Sequence, residues 1–140
     1  MTDEPPLAGP PPAGPGAKPP QVVSAGIIEI VLGILILLVT AYLFLNIPAS
    51  DLRGAVIVLL LIQAAQGILD LAAGIMVMRL RPAGRILAIV MAAIGAAFAA
   101  FTLAQGVPAS TVVLVLIGIT LRVLVIVFLN QAQSRAAFGA

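Results

Sequence analysis

The sequence predicts an all-α integral membrane protein: four antiparallel transmembrane helices behind a disordered, Pro/Gly-rich N-terminal tail. Three observations lead there. Of the 140 residues, 62% are hydrophobic and only 9% charged, with a mean hydropathy of +1.24, whereas soluble domains carry about 25% charged residues. The apolar residues are unevenly placed: the first 21 positions hold just five of them, together with eight of the eleven prolines. Beyond that point lie four apolar runs, each close to the ~20 residues that a helix needs to cross a hydrocarbon core of about 30 Å. The runs are continuous rather than alternating with period two, which excludes a transmembrane β-barrel.

Residues 1–21 include Pro5-Pro6, Pro10-Pro11-Pro12 and Pro19-Pro20, mixed with Gly9, Gly14 and Gly16. Proline removes amide donors and glycine adds backbone freedom, so the segment is expected to stay disordered and partly polyproline II. The bundle is expected over residues 22–130, with spans at about 22–47, 55–78, 86–104 and 111–129. Pro48 with Asp51, Pro82 with Gly84, and Gly106 with Pro108 supply the breaks between them. Such short links make consecutive helices antiparallel neighbours. Residues 131–140 are expected to form a short cytoplasmic tail.

Orientation is read from the arginines. The second link carries Arg79, Arg81 and Arg85, the third carries none, and the first has Arg53 offset by Asp51. Cytoplasmic loops are enriched in Lys and Arg, which assigns the second link and both termini, with Lys18 and Arg135, to the cytoplasmic side. Heavy use of Ala and six Arg against one Lys suggest a bacterial chain, hence an inner-membrane location. Tyr42 and Phe44 fit an interfacial aromatic belt at the outer end of the first span.

With neither Cys nor His, the chain lacks the usual zinc ligands, a thiol or imidazole nucleophile, a haem-ligating imidazole and any disulfide. No metal or cofactor is expected. The net charge of +2 comes from scattered residues, not from a basic face with interleaved aromatics, so nucleic acid is not an expected partner.

Three ionisable residues fall inside the spans: Glu29, Asp70 and Arg122. Each costs at least about 2.5 kcal/mol at the centre of a bilayer, so each is expected to face protein or water. At a rise of about 1.5 Å per residue, all three lie roughly 10 to 12 Å from the cytoplasmic edge. They form one layer, in which the planar fork of Arg122 is suited to bridge both acids. Two acids and one base leave one acid expected to hold a proton.

The acids have similar surroundings. Gly26-Ile27-Ile28-Glu29-Ile30-Val31-Leu32-Gly33 and Gly67-Ile68-Leu69-Asp70-Leu71-Ala72-Ala73-Gly74 both place Gly, acid and Gly at offsets 0, +3 and +7, on one helix face. Small residues at such spacing allow close approach of membrane helices. Gln63 and Gln66 extend the second stripe, which is expected to face the interior. The third span offers Gly95 with Ala88, Ala92, Ala96, Ala99 and Ala100 as further packing surface, and Phe98 and Phe101 read as packing residues.

Four short spans with a Glu in the first resemble the small multidrug resistance transporters. The chain departs from that pattern in lacking Trp, in having Tyr42 as its only tyrosine, and in carrying Asp70 and Arg122. The role expected from the residues is non-enzymatic: a small interaction or accessory subunit that packs through its Gly and Ala faces against itself or a larger membrane protein. The alternative is a proton-coupled carrier in which Glu29 and Asp70 exchange protons under the influence of Arg122.

Overall fold

The computed structural model describes residues 17–51 and 53–139. Four long helices make up most of it: α1 (Pro20–Asn46), α2 (Gly54–Met78), α3 (Pro82–Ala104) and α4 (Ala109–Asn130). Each is long and apolar enough to cross a membrane, with mean span hydropathy from 2.1 to 3.0. The chain is therefore a small multi-pass, all-helical membrane protein. The proline-rich stretch expected to be disordered lies, through residue 16, outside the described residues.

Prolines set several boundaries. Pro20 and Pro82 occupy first-turn positions of α1 and α3, where the missing amide costs nothing and the fixed φ already suits the helix. Both helices consequently begin earlier than the apolar runs alone suggest, by two and four residues. Pro108 is the N-cap of α4. The α2–α3 turn shrinks to three residues. There the amide of Leu80 donates to the Val77 carbonyl (2.9 Å) and that of Arg81 to the Met76 carbonyl (3.0 Å), a Schellman closure. The left-handed position, usually glycine, is Leu80 with φ of 55°. Its side chain packs against the core at this end of the bundle, an apolar gain that offsets the backbone strain.

The helices pack in a ring: α1 on α2, α2 on α3, α3 on α4, and α4 back on α1, with α1–α2 the most extensive interface. The end that holds the start of α1, the α2–α3 turn and the end of α4 is here called the inner end. A short helix, α5 (Ala132–Ala137), folds at that end, where the sequence suggested only a tail. Phe138 follows it and is buried with Val22, Ala25, Ala73, Val77, Ala88, Ala92, Val125 and Leu129.

Burial is lopsided. Nearly every buried residue lies in the inner half: Val22 to Gly33 on α1, Gly67 to Val77 on α2, Gly84 to Gly95 on α3 and Arg122 to Leu129 on α4, with Thr40 and Leu60 as the exceptions. In the outer half Leu38, Leu45, Leu61, Phe101 and Leu114 all face outwards. Lipid tails are as apolar as these side chains, so no hydrophobic force closes the outer half. The inner half is held by glycine contacts and by charge.

Candidate functional site

The α1–α2 contact is built on four glycines in two reciprocal pairs. A Cβ on Gly26 would lie 3.3 Å from the Gly74 carbonyl oxygen, and one on Gly33 only 2.7 Å from that of Gly67. The repeat of Gly at 0 and +7 thus pairs with its antiparallel copy, first glycine against last. The glycine spacing, though not the position of the acid, reads alike in both directions, which explains why two same-direction matches suit antiparallel helices. The acids, at +3, sit between the paired glycines, and the crossing sets Glu29 against the Asp70–Leu71 step of α2.

Each of the four long helices contributes to one polar layer, eight or nine residues from its inner end, or about 12 to 14 Å at helical rise. From α1 comes Glu29, from α2 Asp70, from α3 the carbonyl of Met91 and from α4 Arg122. Glu29 and Asp70 have no exposed surface and Arg122 retains 5%. Arg122 Nη2 donates to Asp70 Oδ2 at 2.9 Å, an ion pair, while its Nη1 donates to the Met91 carbonyl oxygen at 3.1 Å.

The fork therefore spans one acid and one backbone carbonyl, not the two acids that the sequence suggested. No hydrogen bond reaches either oxygen of Glu29, and Asp70 Oδ1 is likewise unpartnered. Gly95 explains the choice. A Cβ there would overlap the Arg122 guanidinium, so the missing side chain is the hollow in which that group lies. In a helix the amide bonding the Met91 carbonyl is that of Gly95. Without a side chain at 95, the carbonyl's second lone pair is open to α4.

The rest of the expected inward stripe of α2 divides. Gly67, Asp70 and Gly74 are buried, whereas Gln63 and Gln66, nearer the open half, are partly exposed. On α3, Ala88, Ala92 and Gly95 are buried, but Phe98 (45%) and Phe101 (61%) face outwards rather than packing inside. Their position above Gly95, where the helices no longer close, accounts for this. Arg79 and Arg81 are exposed at the α2–α3 turn. Arg85 has a structural partner that sequence reading missed: its Nε donates to the Leu129 carbonyl (2.9 Å) and its Nη2 to Asn130 Oδ1 (3.3 Å). A cation there satisfies a terminal carbonyl and complements the negative end of the α4 dipole.

In the outer half a lateral cleft of about 320 Å³ opens between α1 and α2. Leu37, Ala41, Phe44, Ile57, Leu61 and Ala64 line most of it, and Thr40 turns its hydroxyl away to the Ile36 carbonyl of its own helix at 2.7 Å. The cleft is apolar and lies outward of the charged layer. No group of three or more metal-ligating side chains occurs among the described residues. Compared with known proteins, the chain matches no family model, no curated protein and no solved structure.

Proposed function

We propose that this protein acts without catalysis, as an interaction or accessory subunit of a bacterial inner membrane. Its inner half is the fixed frame, and its apolar outer half is the surface offered to a second copy or to a larger membrane protein. The observation behind this reading is the division of the bundle. The only concentration of charge within the described spans is shut away, while the open cleft is almost wholly apolar and large apolar side chains dominate the outer helix faces. A carrier needs its polar site to meet the substrate, and a hydrolytic or transfer enzyme needs a nucleophile, metal or cofactor beside it. Burying an ion pair behind glycines instead suits register and assembly.

Photo-crosslinking residues placed at Phe44 and Leu61 are expected to give discrete protein adducts in native membranes, with the same residue at Ile86 as the inner-half control. Adducts to lipid alone from the outer positions would remove the interaction reading. The carrier alternative is checked with the purified chain in vesicles. Movement of protons or a cationic dye that Asp70→Asn abolishes would establish it, and no flux is expected.

The same proposal places the Arg79–Arg81 turn and both termini in the cytoplasm, following the distribution of basic residues. A single cysteine introduced at Ala83, exposed beside this turn, is expected to react with an impermeant maleimide only in inverted vesicles. Labelling from the periplasmic side of intact cells would reverse the topology.

A further inference from the structure

Glu29 is the one ionisable side chain of the layer that the packing leaves alone. It is wholly buried, and neither carboxyl oxygen accepts a hydrogen bond. The charged and titratable groups that face it are few. α2 contributes Asp70 and α4 contributes Arg122, already committed to Asp70 and to the Met91 carbonyl. α3 brings Met91, Ala92 and Gly95 to this level, none of them ionisable, and α1 has no other ionisable residue within its span.

Charge counting is then decisive. Asp70 and Arg122 cancel, so an ionised Glu29 would enclose one net negative charge with no donor to receive it. An uncompensated buried charge is among the most costly arrangements a protein can hold. A neutral carboxylic acid in the same place costs no more than an unmet polar group. The charge that completes the layer must also fit a closed space, since the paired glycines on either side of Glu29 bring α1 and α2 to near backbone contact. A proton adds almost no volume.

We propose that Glu29 is a proton-binding site: the closed bundle holds it as the neutral acid, and release of the proton parts the glycine contact between α1 and α2. The bound species is a single proton on one carboxyl oxygen. Departure leaves a carboxylate that can be solvated only where the Gly26–Gly74 or Gly33–Gly67 approach opens. This assignment stands whether or not the outer half binds a partner.

The test is infrared spectroscopy on the full chain in lipid vesicles, across a pH titration, with hydrogen exchange followed in parallel. At neutral pH the wild type is expected to show the carbonyl stretch of a weakly hydrogen-bonded carboxylic acid. Glu29→Gln should lose it and Asp70→Asn should keep it. At alkaline pH the band should disappear, and amide exchange in residues 26–33 and 67–74 should speed up at least tenfold in the same range. The sign follows from the neutral form being the one packed: stability is present at low pH and lost as pH rises.

Glu29→Gln copies the neutral acid, so it should fold and keep its melting temperature at alkaline pH while the wild type loses stability. Absence of the band from the wild type, or its survival in Glu29→Gln, would overturn the proposal. A band that appears only when sodium is replaced by choline would assign the site to a metal cation instead and equally overturn it. Identical pH profiles for the wild type and Glu29→Gln would sever the link between the proton and the glycine contact.

Discussion

Arg122→Gln is expected to destabilise the bundle by about 3–5 kcal/mol, the range found when one partner of a buried ion pair is removed. The loss has three sources. Asp70 is left as an unpaired carboxylate with no exposed surface. The Met91 carbonyl loses its donor from α4. The hollow over Gly95 is no longer filled by a guanidinium. Equilibrium unfolding in mixed micelles, followed by circular dichroism, measures the effect.

Which second change rescues it is the sharper question. Because Arg122 binds Asp70 and not Glu29, the double variant Arg122→Gln with Asp70→Asn should recover much of the loss, since two neutral amides can hydrogen-bond where one carboxylate was stranded. Arg122→Gln with Glu29→Gln should recover little. Equal rescue by both doubles would mean that the guanidinium is shared between the acids, and full stability of the single Arg122 variant would mean that the pair holds nothing.

Much of this arrangement is legible in the sequence. Four continuous apolar runs separated by Pro and Gly give the spans because a bilayer imposes one length on every crossing helix. The common depth of Glu29, Asp70 and Arg122 follows from helical rise alone. What linear reading misses depends on rotation and pairing. A count of residues fixes how deep Arg122 lies but not which acid its fork meets, and the partner that displaced Glu29 is a backbone carbonyl, which any residue at position 91 would supply. The signal that existed was Gly95, one α-helical hydrogen bond beyond Met91. The open outer half is also invisible in composition, because a Leu facing lipid and a Leu facing protein satisfy the same hydropathy. The helix α5 is too short and too polar to announce itself, and only Phe138 among polar and small neighbours marks a segment that returns to the core.

The glycines supply the second large effect, and its value lies in a gradient. Gly33→Ala is expected to cost about 2–3 kcal/mol, at the upper part of the range for overpacking. Its new Cβ would lie 2.7 Å from both the Gly67 carbonyl oxygen and the Leu71 amide nitrogen, and 3.1 Å from the Leu71 Cα. All three obstacles are backbone, so relief requires α1 and α2 to separate. Gly74→Ala meets the Gly26 carbonyl at 2.8 Å and the Ile30 amide at 2.9 Å, and should rank next. Gly26→Ala collides first with the Met78 side chain at 2.7 Å. A flexible thioether can move aside, which should hold the cost to about 1 kcal/mol. Gly118→Ala meets nothing within 4 Å and should be neutral or slightly stabilising, because alanine is the better helix former by about 1 kcal/mol. The same unfolding measurement ranks the four. If instead the cost depended only on depth in the membrane, Gly74 and Gly26, which face each other at one level, would behave alike, as would Gly33 and Gly118, and the reciprocal glycine pairing would not be what joins the two helices. The predicted order, Gly33 above Gly74 above Gly26 above Gly118, arises only if α1 and α2 touch through their backbones, which is also the contact that keeps Glu29 from water.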